Sequence, residues 1–310
     1  MNPDSVWAVV LSWNGREDTL ACLATLESQT RPPDRIIVVD NGSTDGLEAP
    51  LRAAYPRVEY VFQPVNVGFA GGMNIGLRRA LEAGADYVVT PSNDTLLKPD
   101  CLEKMLDALR GHPQAGAVAP KIFYYEPAGT LYFNGGYFTR ATLRPCHPGE
   151  LKPDPNPQER AAREIGFLNG CCPLFRAAAL KQTGLFDEAF HAYFEDADLS
   201  LRLLKDGWTL LLAPQAVVIH HHAVSFKKNA GPALQGTVSR YKWFIATRNR
   251  FWLLRKHGRW WQIMLGYLTI VVTRIAIIFT QVILGRPNKA LGIIKGLWSG
   301  LMGHIPSRIR

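Results

Sequence analysis

The sequence predicts an α/β fold, a mostly parallel sheet flanked by helices, with a helical extension at its C-terminal end. Three observations carry that expectation. The apolar runs Val6 to Trp13 and Arg35 to Asp40 bracket Arg16 to Ser28, whose apolar residues recur at helical spacing. Strand, helix and strand thus fit within about forty residues, the size of a parallel βαβ unit. Further strand-length runs alternate with helical stretches up to the His220-His221-His222 triplet. After Asp206 the composition changes: from Gly207 to Arg310 there are 15 Lys and Arg and no Asp or Glu. The division expected from this is an α/β domain over 1–240 and a basic, apolar helical extension over 241–310.

Taken in order, Asn14-Gly15 punctuates the first strand, and Arg31-Pro32-Pro33 ends the first helix. Asp40-Asn41-Gly42-Ser43-Thr44-Asp45-Gly46 then stands at a strand's carboxyl end, where open parallel sheets bind ligands. Val58 to Phe62 reads as a third strand. It is followed by Asn66-Val67-Gly68-Phe69-Ala70-Gly71-Gly72-Met73-Asn74-Ile75-Gly76 and a helix over Leu77 to Ala83. Glycines ahead of a helix allow close backbone approach to a phosphate or sugar; they serve tight packing equally well. Ala85 to Ser92 reads as a fourth strand ending at Asn93-Asp94-Thr95, a position from which one carboxylate can share Mg2+ or Mn2+ with a diphosphate. A helix over Pro99 to Arg110 and a strand over Gly116 to Tyr124 follow. Residues 125–160, rich in Gly and Pro, read as a long, partly mobile loop over the site. Phe167 to Arg176 is a strand, Ala177 to Gln182 a short helix, and Trp208 to Leu212 and Ala216 to Ile219 are two strands on either side of Pro214.

Between these lies the stretch with the densest chemistry, Gly184 to Arg202. Glu195, Asp196 and Asp198 open a helix over Glu195 to Lys205, among Phe190, Tyr193 and Phe194. The helix dipole favours anions there, and aromatic packing raises a carboxyl group toward the range of a general base. A purely structural capping cluster has the same appearance.

Charge and cysteine content narrow the setting. Of 35 basic and 26 acidic residues, the first 206 positions hold 20 and 26, a net of −6 against +15 for the rest. A tail of one sign suits a partner bearing anionic groups: lipid headgroups, a diphosphate or nucleic acid. Cys22, Cys101, Cys146, Cys171 and Cys172 are odd in number, lack metal-ligand spacing, and read as reduced thiols of the cytosol. Met1-Asn2-Pro3-Asp4 leads straight into a strand without the basic and apolar regions of a signal peptide.

The motifs in their order resemble the family 2 inverting glycosyltransferases of the GT-A fold, most closely rhamnosyltransferase-like members. Five motifs carry the resemblance across roughly residues 6–255: Val38 to Gly46, Asn66 to Asn74, Asn93-Asp94-Thr95, Gly184 to Leu199, and His220. It implies a nucleotide-sugar donor held by Asp40, Asn41, Ser43, Asp45, Asn66, Gly71, Gly72, Asn74 and Asn93. It implies Asp94 and His220 as ligands of Mn2+ or Mg2+, with the register inside the histidine triplet open. Asp196 matches the general base and Glu195 its modulator or an acceptor contact. Asn93 replaces the first acid of the Asp-x-Asp region, which leaves fewer carboxylates for the metal. Arg248-Asn249-Arg250 matches a basic segment near the end of the domain. Two other readings of the residues stand beside this one. A nucleotidyltransferase would carry a basic glycine-rich loop near its first strand, for which Asn14-Gly15-Arg16 is a poor match. A non-catalytic nucleotide-sugar or membrane-binding module would not need Asp94 and Asp196.

The extension points to a membrane. Tyr241 to His257 interleaves aromatic and basic residues, and Ile263 to Leu284 is long enough to span a bilayer with the single charge Arg274. A charge in mid-span costs about 2.5–3.5 kcal/mol on insertion scales. Gln262, Gly266, Thr269, Thr273, Ala276 and Thr280 form a weakly polar stripe, and Lys289 to Met302 is a second amphipathic piece. Interfacial or re-entrant helices at an anionic surface fit best; a true span and a soluble core or dimer surface are the other two readings. The expected partners are therefore a nucleotide-sugar donor, a glycan or lipid-linked acceptor and the cytoplasmic face of the membrane, with no nucleic acid.

Overall fold

The computed structural model describes residues 4–221 and 232–303. The first half alternates strands and helices: Val6–Ser12 (β1), Arg16–Glu27 (α1), Arg35–Asp40 (β2), Glu48–Ala54 (α2), Glu59–Phe62 (β3), Gly68–Glu82 (α3), Tyr87–Val89 (β4), Thr95–Leu97 (β5), Cys101–Gly111 (α4) and Ala115–Tyr124 (β6). Short strands follow at Leu131–Phe133 (β7), Tyr137–Phe138 (β8), Pro145–Cys146 (β9), Arg163–Ile165 (β10) and Leu174–Arg176 (β11). Then come Ala177–Thr183 (α5), a 3-10 turn at Glu188–Phe190, Glu195–Lys205 (α6), Thr209–His220 (β12), and the helices Pro232–His257 (α7), Trp260–Ile283 (α8) and Pro287–Met302 (α9).

One sheet runs in the order β10-β12-β6-β11-β4-β1-β2-β3, with β5 on β12 and β7 on β6. β1 is parallel to β2 and β4, β2 to β3, and β6 to β12, while β11 lies antiparallel between β4 and β6. Ser12, Asp40 and Phe62 stand in register, so the carboxyl ends of β1, β2 and β3 form one edge. Fully buried Val and Ile, such as Val9, Val10, Ile37, Val38 and Val88, fill the strands because helices cover both faces.

Several elements differ from the sequence expectation for identifiable reasons. α3 starts at Gly68, nine positions before the expected Leu77, and so contains the glycines instead of following them. A Cβ on Gly72 would stand 2.5 Å from Leu11 Cδ1, and one on Gly76 2.3 Å from Val9 Cγ1. These glycines let the helix lie directly on β1. α2 has only seven residues, too few to show a period. The two strands expected around Pro214 are one, β12; pairing with β6 steps from Ala213–Pro120 to Val217–Lys121, so the proline sits in a bulge. Residues 125–160 carry β7, β8 and β9 and are pinned by the buried Lys121 Nζ to Asp154 ion pair at 2.7 Å. Of the strand expected over Phe167 to Arg176 only β11 forms, and the residues ahead of it turn over the sheet edge.

α7 runs unbroken across residue 240. α9 packs on it through Gly292, Gly296 and Gly300, where added Cβ atoms would stand 2.4 Å from Arg240 O, 2.6 Å from Phe244 O and 2.3 Å from the Phe251 ring. Small residues at intervals of four let two helix backbones approach closely. On α8, Gln262, Gly266 and Ile270 are buried on the side turned to α7, and Arg274, four residues on, lies over the Trp243 ring at 5.5 Å. The mid-helix charge thus faces protein. The hydroxyls of Thr269, Thr273 and Thr280 bond carbonyls one turn back in their own helix, which removes much of the expected polar stripe.

Candidate active site

At the carboxyl edge of the sheet the residues form two groups. The first surrounds Asp40, which is 2% exposed. Its Oδ1 accepts from the Ser43 N–H at 2.8 Å and its Oδ2 from the Tyr60 hydroxyl at 2.6 Å. Ser43 Oγ accepts from Asn14 N, and Asp45 Oδ2 from Arg16 N, so the loops after β1 and β2 are tied together. Asp45 Oδ1 is buried without a hydrogen-bond partner. Asn41 donates to Asn66 Oδ1 and to the Gly68 carbonyl and accepts from Val67 N, which holds the loop ahead of α3. Gly42, at φ +79°, lets that loop pass; a Cβ there would stand 2.9 Å from the Val65 carbonyl carbon.

Other residues assigned to the donor by resemblance are engaged in the fold. Asn74 is buried, donates to Phe186 O at 2.8 Å and to Glu188 Oε1 at 3.0 Å, and accepts from Phe186 N. Gly71 abuts Val67, and Gly72 abuts Leu11 and Asn41. Asn93 donates to Thr19 Oγ1 at 3.1 Å and ties the end of β4 to α1.

The second group holds the acids. Asp94 Oδ1 lies 3.2 Å from His220 Nε2, where β5 and β12 place Thr95 opposite His220. Burial disfavours a charged His220 ring, but Cys171 and Asp94 outweigh it and raise the pKa to about 10. Cys171 Sγ is 3.7 Å from both ring nitrogens, and Tyr132 packs edge-on at 4.6 Å. His221 lies apart, with Nδ1 3.7 Å from Asp18 Oδ1, and His222 falls outside the described residues. One residue before Cys171, Gly170 N donates to Asp196 Oδ2 at 3.0 Å, while Asp196 Oδ1 accepts from Ala197 N at 2.7 Å. The Asn169-Gly170-Cys171 turn therefore joins Asp196 to the His220–Asp94 pair.

Burial raises the Asp196 carboxyl above the ordinary range, against the opposing pull of the Gly170 and Ala197 amides. Glu195 is raised much further, by burial first and then by Asp196, and its Oε2 has no partner. Asp198 goes the other way. Burial opposes its charge, yet His257 and Lys256, both at 2.8 Å, and Arg202 hold it at about 2. Three neighbouring acids thus have three different environments, and Asp198 fastens α7 to α6.

The profile of Glycosyl transferase family 2 matches residues 7–184. The chain belongs to glycosyl transferase family 2. It is 32% identical over 260 residues to N-acetylglucosaminyl-diphospho-decaprenol L-rhamnosyltransferase of Mycobacterium tuberculosis, covering 77% of this chain and 81% of that protein. It is 28% identical to galactofuranosyltransferase GlfT1 of the same organism, over 82% and 84% of the two chains. Among solved structures, GalNAc-T7 with UDP, GalNAc and Mn2+ aligns at a TM-score of 0.61 and 13% identity, over 84% of this chain and 56% of that one. The mannosyltransferase PcManGT of Pyrobaculum calidifontis, with GDP-Man and Mn2+, aligns at 0.54 and 15% identity, over 98% and 90%. The sheet and its flanking helices are therefore those of a GT-A glycosyltransferase.

This family 2 transferase also contains a backbone corner ahead of α6 that the sequence did not predict. His191, Tyr193 and Phe194 have φ of 63°, 63° and 74° immediately before α6. Left-handed backbone at three non-glycine residues is costly and persists only where the surroundings enforce it. Asn249 does so: its Nδ2 lies 2.8, 2.8 and 2.7 Å from the carbonyls of Phe190, Ala192 and Tyr193. Arg248 adds bonds to Ala189 O and Phe190 O. The only sequence signal was an Asn between two arginines, which says nothing about a corner 59 residues away.

Proposed function

We propose that this glycosyltransferase moves a hexosyl group, with inversion, from a nucleotide diphosphate sugar to a hydroxyl of a lipid-linked glycan acceptor. Asp196 serves as the general base. The observation that carries this reading is the Asn169-Gly170-Cys171 turn, which sets the raised carboxyl of Asp196 beside the Asp94–His220 pair. The acceptor hydroxyl attacks the anomeric carbon as the bond to the diphosphate oxygen breaks, and its proton passes to Asp196. A carboxyl raised by burial is a stronger base than an exposed one, yet two amide donors keep it aimed.

Asp94 and His220 fit Mn2+ or Mg2+. They offer an oxygen and an imidazole nitrogen 3.2 Å apart, and hard cations complete their shell with phosphate oxygens and water. Among the described residues no third His, Cys, Asp or Glu completes an all-protein cage, which suits an ion shared with a diphosphate. Bound there, the cation would neutralise charge on the departing diphosphate. The loops at Asp40, Ser43 and Asp45 take the nucleoside end of the donor. Likeness to the mycobacterial L-rhamnosyltransferase favours dTDP-rhamnose as the donor and a prenyl-diphosphate-linked acceptor.

Asp196→Asn tests this assignment. Transfer should fall by roughly 10²–10⁴ while donor affinity, measured by calorimetry, stays at the wild-type value. The acid limb of wild-type kcat/KM should lie above that of an ordinary carboxylate, with activity falling as pH drops and Asp196 gains a proton. Transfer by the Asn variant at the wild-type rate would remove Asp196 from the reaction. Product masses from a donor panel would identify the sugar.

A further inference from the structure

With no acid beyond Asp206, the cations of the extension must find partners elsewhere. Most do. Arg248 donates to two carbonyls, Lys256 pairs with Asp187 and Asp198, and Arg255 lies over the Tyr267 ring at 5.6 Å. Arg250 differs. It is 6% exposed; its Nη2 donates to the Thr142 carbonyl, and its Nη1 is buried with no hydrogen-bond partner. Burial, then the like charges of Arg144 and Arg274, push its guanidinium down to about 10. Among the described residues no carboxylate pairs with any of these three arginines. A buried, unpaired cation beside two others is an arrangement that an anion completes.

The surroundings indicate which anion. Arg144 lies on the β8–β9 hairpin, whose tip is fixed to the extension: Gln262 donates to Arg140 O at 2.8 Å, and Leu143 packs on the Phe251, Leu254 and Ile270 cluster. Beyond β9, His147 packs on Phe167 at 5.2 Å, and Phe167 leads through Leu168 and Asn169 to Gly170, which holds Asp196. In the other direction α8 carries Arg274 on its inner side and exposes Leu268, Ile275 and Phe279. The three arginines therefore lie between the sugar-transfer residue and an open apolar face. We propose that Arg144, Arg250 and Arg274 bind the diphosphate of a prenyl-diphosphate-linked acceptor, placing its sugar toward Asp196 and its chain along α8. Guanidinium groups suit this ligand because each can meet two phosphate oxygens at once. The proposal rests on the lipid-linked reading of the acceptor.

Binding can be tested without turnover. Full-length protein in neutral detergent is titrated with geranyl diphosphate, geraniol, inorganic pyrophosphate and phosphatidylglycerol, following heat and the fluorescence of Trp243 beneath Arg274. Geranyl diphosphate should bind and raise the melting temperature, and geraniol should not. Arg250→Met and Arg144→Gln should each weaken that binding by about tenfold or more. Without ligand, Arg250→Met should melt no lower than wild type, because it removes an unpaired buried charge; a residue with a merely structural role would show a loss. The proposal is overturned if either variant binds geranyl diphosphate as wild type does. It is also overturned if dTDP or UDP displaces the ligand, which would place it in the donor pocket, or if phosphatidylglycerol competes equally, which would make the site a general lipid contact. Arginine-dependent binding without transfer to any prenyl-diphosphate sugar would instead leave this site standing and remove the proposed reaction.

Discussion

Glu195, Asp196 and Asp198 show how strongly position within one helical turn sets the behaviour of a carboxyl group. All three are near the N-terminus of α6, so the helix dipole does not distinguish them. Solvation and partners do. Asp198 meets three cations, Asp196 meets two amides, and one oxygen of Glu195 meets nothing. With its pKa raised above that of the unfolded chain, Glu195 favours the folded state while protonated; that contribution is lost as pH climbs from the ordinary carboxylate range toward the raised value. Glu195→Gln removes the titration. Its unfolding free energy should match wild type near pH 4 and exceed it increasingly toward neutral pH, by about 1 kcal/mol or more. A constant difference across that range would show that Glu195 ionises normally. The sequence showed these acids as a cluster and the order of motifs separated Asp196 from its neighbours. The pairing of Asp198 with Lys256 and His257 was not legible, because it joins residues nearly 60 positions apart with nothing periodic between them.

Elements that repeat a pattern over many residues were readable, and elements defined by a single contact were not. β1, α1, β2 and α4 fall within two residues of where apolar spacing puts them. α3 was misplaced because its glycines look like a loop until Leu11 and Val9 are seen against them. The corner before α6 is a further case. Its cost is borne by a side chain of α7, so the helix that opens the extension also aims the proposed base. Asn249→Ala leaves the Ala192 and Tyr193 carbonyls without a side-chain donor and Phe190 O with Arg248 alone. The expected loss is about 2–3 kcal/mol of stability and roughly a 10–100-fold fall in kcat. Donor KM should be unchanged, and amide exchange should quicken over residues 190–196. Loss of stability with an intact kcat would make the corner structural only.

At the scale of the whole molecule, the helical extension is tied to the sheet domain by Lys256 on Asp187 and Asp198, His257 on Asp198, Arg248 and Asn249 on the corner before α6, Arg250 on Thr142, and Gln262 on the hairpin tip. The apolar face of α8 is turned outward. Trp260 is 75% and Ile283 83% exposed, Met264, Leu268 and Phe279 lie between them, and exposed Arg259 and Arg286 flank the helix. α8 is long and apolar enough to cross a membrane, but its inner side, with Gln262, Gly266 and Arg274, rests on α7. A helix with one side on protein and an apolar side flanked by arginines and tryptophans suits the membrane interface better than a span. Leu268→Glu with Phe279→Glu alters only the outer face and should leave the melting temperature within a few degrees of wild type. Sedimentation with phosphatidylglycerol vesicles should then fall by about tenfold or more. For wild type, raising salt should weaken sedimentation without abolishing it, because screening removes the arginine and lysine attraction and leaves the apolar contact. Undiminished sedimentation of the double variant would show that α8 does not meet the lipid, and would leave its exposed face to a second copy of the chain.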